Sequence, residues 1–288
     1  MDQHNHETLS PFLLRSSTSN PFTSSSHSIH DLSIWITHYT EIRTLHQQGA
    51  LNTFFTSKGD NQQSIYILGQ YSRFADSEIM EAYFHLFDSL FFFSSLKDRC
   101  TAELVPKTRE GLNHFTIKSV SAANGERHSR ISIHGLGEES GYTRKDRKAG
   151  LRAYLGILLH EMIHVFLYTY SCRIGACNRL LQGMAGLGHS EAWMEIAFAI
   201  ENSVKVLLGL EVDLLRKWCL VTELSLNGEP VKNVEVKKWG FENVEIAVFV
   251  AAYGKDVRRE ARMGLEFVGW AREWIERLGE VEGERRGG

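Results

Sequence analysis

The chain has 288 residues, 43% of them hydrophobic and 23% charged, with a formal net charge of −3. That balance excludes a fibrous or wholly disordered chain, suffices to bury a real core, and provides no overall attraction to nucleic acid or an anionic membrane. Four cysteines are too few for a disulfide scaffold at this size. MDQHNHETLSPFLLRSS lacks a secretory pattern and no uninterrupted apolar run reaches membrane-spanning length, so no membrane partner and an intracellular location, cytoplasm or nucleus, are expected.

Residues 1–30 are rich in Ser, Thr, His and Asn and carry too little apolar surface to offset ordering entropy. They read as a disordered tail, with His4, His6, His27 and His30 as solvated side chains. Residues 31–75 read as an N-terminal extension. Its parts are a helix, DLSIWITHYTEIRTLHQQ, N-capped by Asp31, and a short strand or apolar turn, QSIYILG. A core is expected over 76–210. SEIMEAYFHLFDSLFF has helical periodicity, with Ile79, Tyr83, Leu86, Phe87 and Leu90 on one side. CTAELV, HFTIKSV and SRISIHG are strands, and Asn124-Gly125 is a turn signal between the last two. GLGEESGYTRKDRKAG is a polar loop.

A long helix follows, roughly Asp146 to Ser171, with Gly175 in its exit turn. RLLQGMAGLGHS is a glycine-punctuated connection into the amphipathic helix SEAWMEIAFAIENSVKVLLGL. Residues 211–288 read as a C-terminal extension. There LVTELSL and EPVKNVEV suggest a hairpin about Asn227-Gly228, VEIAVFVAAYG a buried strand, and REARMGLEFVGWAREWIERLGE a closing helix. The expected fold class is α+β, a small mixed or antiparallel sheet packed on helices, with the long helix carrying the motif described next.

The long helix contains His160-Glu161-Met162-Ile163-His164. Histidines four apart project from one helical face, so two neutral nitrogens can reach one Zn²⁺. Zinc lowers the pKa of water toward neutrality, and a carboxylate next to the first ligand can take that proton and later deliver it to a departing amine. The competing reading is a core helix with two satisfied histidines. Leu155, Leu158, Leu159, Ile163, Phe166 and Leu167 wrap the helix in apolar residues, however, so its buried imidazoles and carboxylate require partners, which a metal would supply. Gly156 lies one turn before His160, where bulk would crowd the site.

A catalytic zinc needs a third protein ligand and an open position. Leu167 and Tyr170 stand where a metzincin arrangement needs Gly and His, which excludes that class. Glu191 and Glu195 are candidates from the following helix. His189 in GLGHSEAW is preferred, because the glycines let the backbone swing its imidazole back to the first helix and Ser190 can cap the second.

HEMIH, an apolar helix end, an insert and then GHSEAW resemble the SprT-like family over about Ile79 to Glu201. FHLFDSLFFFSSL is similar to the family's helix and phenylalanine-rich segment before its sheet, and SRISIHG to its strand before the motif helix. The resemblance implies a zinc metallopeptidase core. His160, His164 and His189 would hold one catalytic zinc ion and Glu161 would be the general base. The substrate would be protein or peptide. Family substrates include proteins covalently trapped on DNA, which makes single-stranded or damaged DNA a candidate partner. The chain departs from the family pattern at Ser94-Ser95-Leu96, which replaces a small-Gly-Leu segment. It also has a longer insert between His164 and His189, and no C-x-x-C zinc ribbon after the core. A reading from another class is a non-proteolytic, zinc-stabilised module that binds DNA, chromatin or protein.

Several features have a functional and a plainer reading. Cys172 and Cys177 could join Cys100 and Cys219 around a second zinc; ordinary loop thiols are preferred. Arg127, Arg130, Arg144, Lys145, Arg147, Lys148 and Arg152 could meet phosphates, but interspersed acids favour a solvated loop and helix start. Ile131 to His134 could be an exposed edge strand that pairs with an extended substrate, whereas His134 reads as a surface histidine. Tyr168 and Tyr170 are expected to pack the helix end rather than serve an oxyanion. Trp193 reads as a core anchor, and Trp270 and Trp274 as a packing stripe.

Overall fold

A computed structural model describes residues 22, 26–41, 43–56, 75–105, 115–121, 127–134, 147–183, 187–228 and 230–262. Helix α1 spans Ile29–Glu41 and buries Ile29, Leu32, Trp35, Ile36 and Tyr39, the stripe its helical period lines up. Its cap is Ser28, whose Oγ accepts from the Asp31 backbone N–H at 3.0 Å, and Asp31 takes a first-turn position. The single helix expected there is two. Helix α2, Leu45–Thr56, begins on a reciprocal Thr44–Gln47 box, with each side chain accepting the other's backbone N–H.

The expected disordered tail needs a second correction. His27 is fully buried beside Phe22 and Trp35. Its N–H donates to Tyr170 O, and its carbonyl accepts from Cys172 N–H at 2.7 Å. Hydrogen bonding and aromatic packing at the end of the motif helix outweigh the polar composition of this stretch. Residues 1–21 and 23–25 lie outside the described residues, as do QSIYILG, the Asn124-Gly125 turn, the polar loop with Arg144 and Lys145, and the closing helix beyond 262.

Helix α3, Asp76–Phe91, buries the predicted face. Its Asp88 carboxylate accepts from the Leu96 and Lys97 N–H groups, both at 2.9 Å, and so folds the FFFSSL turn, where Phe93 and Ser94 adopt left-handed φ of 59° and 55°. Strands β1 (Cys100–Val105), β2 (Phe115–Ser121) and β3 (Arg127–His134) form a mixed sheet in the order β1-β3-β2. β1 runs parallel to β3 and β2 antiparallel to it. β3 is therefore the central strand, with Ile131 facing Ala102 on one side and Ile117 on the other. The role of substrate-pairing edge expected for Ile131 to His134 falls away, because its main-chain groups are already paired.

Helix α4, Arg147–Tyr170, lies against β3. Over Gly150–Tyr170 it is long and apolar enough to cross a membrane, yet 89% of the most apolar window is buried inside the protein. It is the core helix, with His160, Glu161 and His164 in its middle. After it, Gly175 (φ +53°) leads into the short α5, Ala176–Gln182, so part of the expected connection is helical. Helix α6, Glu191–Leu208, is capped by Ser190 and ends at the left-handed Gly209.

The C-terminal region differs most from expectation. LVTELSLN is not a strand but part of α7, Arg216–Asn227, and Gly228 is its C-terminal cap, with its N–H donating to Leu224 O. A left-handed glycine serves a hairpin turn and a helix end equally well, so Asn-Gly alone does not separate them. EPVKNVEV contributes only short 3₁₀ turns, at Val231–Asn233 and Val236–Trp239. VEIAVFVAAYG is helical, within α8, Asn243–Arg262. Ile246 and Val257 are buried while Val244 and Val248 face outward, a one-sided helical burial. α7 and α8 pack together, with Lys217 paired to Glu245 and the Trp218 ring edge-on to Tyr253.

Candidate metal centre

The helical period of α4 stacks His160 and His164 one turn apart, and their Nε2 atoms lie 3.1 Å from each other. His189 arrives from the bend before α6, with its Nε2 3.2 Å from His160 Nε2. The bend works because Gly188 sits at φ +84°, where a Cβ would lie 3.3 Å from the His164 ring. Glu161 is buried beside them, one carboxylate oxygen 3.9 Å from His160 Nε2. The four residues predicted from sequence therefore converge. They are 2%, 3%, 8% and 7% exposed for His160, Glu161, His164 and His189.

Glu191 and Glu195 point elsewhere. Glu191 pairs with Lys238, and Glu195 accepts from Ser33 Oγ at 2.7 Å. Tyr170 donates to Ser95 O at 2.8 Å and is buried, while Tyr168 is exposed beneath Arg173, so neither tyrosine serves the cluster. Trp193 is fully buried, as expected of a core anchor, but its ring also touches all three imidazoles at centroid distances of 4.7, 5.6 and 4.8 Å. It walls one side of the cluster.

The tautomer of His160 is set by its second nitrogen. Nδ1 lies 2.9 Å from Leu214 O, which can only accept, so Nδ1 carries the proton and Nε2 presents its lone pair. The chain just before that carbonyl can approach α4 because Gly156 has no side chain: a Cβ there would stand 2.3 Å from Asp213 O. Burial lowers the His160 pKa to about 4 and holds His164 and His189 well below the ordinary histidine value, so all three rings are neutral near pH 7. Burial raises Glu161 to about 8.

One in-plane lone pair on His160 cannot accept well from two further rings at once. Three neutral imidazoles, two of them turned toward the Nε2 of the third, offer the donor chemistry of a cation site. Two neighbours on α7 were not assigned to this site by the sequence, which offered Cys219 only to a second zinc and did not single out Glu223. Cys219 is fully buried, and its Sγ forms with His160 and His189 a group whose ligand atoms lie within 4.8 Å of one another. This buried group can hold a metal ion. His164, with its Nε2 3.1 Å from His160 Nε2, and Cys219 both stand beside the His160–His189 pair. Glu223 accepts from the His189 backbone N–H at 3.2 Å. No motif spacing connects either residue to HEMIH. Cys172 and Cys177 join no such group among the described residues.

No family model, curated protein or solved structure matches this chain.

Proposed function

We propose that the chain is a zinc-dependent metallopeptidase of SprT-like type that hydrolyses peptide bonds of protein substrates, DNA-associated or DNA-crosslinked proteins among them. The observation that carries this reading is the approach of His164 and His189 Nε2 to His160 Nε2, at 3.1 and 3.2 Å, with Glu161 adjacent. A tetrahedral zinc with bonds of roughly 2.0–2.1 Å holds its nitrogens about 3.4 Å apart, close to those spacings. Zinc bound there supplies Lewis acidity and brings the pKa of water toward neutrality.

The chain's own residues supply the rest. The three imidazoles are kept neutral by burial, and Leu214 O keeps the proton of His160 on Nδ1. A cation bound beside Glu161 would oppose the burial that raises its carboxyl to about 8, and the carboxylate would then take a proton from the attacking water and return it to the leaving amine. Trp193 and the apolar face of α4 exclude bulk water from one side of the cluster.

A second reading, a zinc-stabilised binding module without turnover, is favoured by a specific pair of observations. The cluster is 2–8% exposed, and Cys219 offers a further donor to a closed site. One experiment separates the two. Elemental analysis establishes the metal, and an unfolded protein is then offered to wild type and to Glu161→Gln, with and without single-stranded DNA. The peptidase reading expects stoichiometric zinc in both proteins and cleavage by wild type alone. Zinc without cleavage in either supports the binding module.

A further inference from the structure

We propose that Glu223, on α7, is a positioning residue of the metal centre and that the C-terminal region is thereby part of the site. The inference rests on the reading that His160, His164 and His189 hold zinc. Glu223 is fully buried. Its Oε1 accepts from the His189 backbone N–H at 3.2 Å and stands 3.8 Å from His189 Nδ1. The same oxygen is lodged where Gly183 leaves room: a Cβ there would come within 2.9 Å of it.

The chemistry runs in one direction. A carboxylate on the Nδ1 side favours the proton on that nitrogen and leaves the Nε2 lone pair facing His160. Its hold on the backbone of residue 189 fixes the bend from which the ring projects. The burial cost of the carboxylate is offset when a cation sits across the imidazole from it. Leu214 O does the same for His160. Two of the three imidazoles thus have their outer nitrogens facing oxygens of the stretch from Leu214 to Glu223, at 2.9 Å for His160 and 3.8 Å for His189, beyond the part of the chain that carries the motif. Removing a partner of this kind costs roughly 10–100-fold in metal affinity.

The test is a zinc titration against a chromophoric chelator, together with the visible spectrum of the cobalt(II)-loaded full chain, for wild type, Glu223→Gln, Glu223→Asp and Asp88→Asn. Asp88 is an equally buried carboxylate on α3 and controls for general damage. Glu223→Gln is expected to bind zinc roughly 10–100-fold more weakly and to shift the cobalt bands, with Glu223→Asp recovering part of the loss and Asp88→Asn matching wild type. Equal affinity and spectra in Glu223→Gln and wild type overturn the inference and leave the zinc reading standing. An equal loss in Asp88→Asn also overturns it. A wild-type chain that binds no zinc removes the zinc reading itself. Should Glu223→Gln not fold, Glu223→Asp decides: wild-type affinity and bands would overturn the proposal, and a partial loss with shifted bands would support it.

Discussion

The motif helix α4 and the C-terminal helix α7 both bear on the imidazole cluster, but by different means. α4 supplies His160, Glu161 and His164 from consecutive turns, so one periodicity delivers donors and carboxylate together. The α7 side contributes the Leu214 carbonyl just before the helix, then Cys219 and Glu223 within it. The first region presents lone pairs; in the second, the Leu214 carbonyl keeps the proton of His160 on Nδ1 and Glu223 holds the His189 backbone. Donor identity is a property of residue type and spacing. Donor orientation is a property of whatever the fold lays against the far side of the ring.

The sharpest way to break that contrast is Glu161→Gln. It should cut proteolysis on the order of 10²–10⁴-fold with zinc content unchanged, as measured by substrate digestion and elemental analysis; parallel loss of metal would place Glu161 among the ligands instead. His189→Ala should cost more zinc affinity than the roughly 10–100-fold of an outer partner. If a chelator competition shows no loss, the bend is not a donor and the third site passes to Cys219.

The scaffold under the motif region should respond to pH. Burial raises the Asp88 carboxyl to about 7, well above the ordinary aspartate value. Because the folded state then binds the proton more tightly than the unfolded chain, the contribution of Asp88 is fully present below pH ~4 and is lost as pH rises through about 7, by about 4 kcal/mol at most. Melting temperatures of wild type should fall over that window more steeply than those of Asp88→Asn, and identical slopes would refute the assignment.

Two smaller effects test the α7 side. Gly156→Ala forces a Cβ to 2.3 Å from Asp213 O. It should destabilise the fold by roughly 1–3 kcal/mol, read by denaturant unfolding, and weaken zinc binding by shifting the neighbouring Leu214 carbonyl. Cys219→Ser should leave zinc stoichiometry as it is if the three imidazoles are the donors; loss of the ion would favour the closed His-His-Cys site.

Legibility along the chain follows the range of the forces involved. The α3 face, the three strands and the motif helix come from periodicities of a few residues, and the structure places them close to where the pattern predicts. Asn227-Gly228 was ambiguous because a left-handed glycine closes helices as readily as hairpins. His27 could not be read from its polar neighbourhood, because its partners are Tyr170 and Cys172, far along the chain. The central place of β3 depends on strand order, which alternation of residues does not encode.

The sequence by itself determined an α+β chain with two imidazoles on one helical face, a carboxylate next to the first of them and a third imidazole preferred at a glycine bend, because helix geometry turns spacing into direction. Only the tertiary structure decided that β3 is central, that Glu191 and Glu195 turn away toward Lys238 and Ser33, and that Leu214, Cys219 and Glu223 stand beside the imidazole cluster. Those outcomes depend on which distant surfaces exclude water from one another, and no local pattern carries that information.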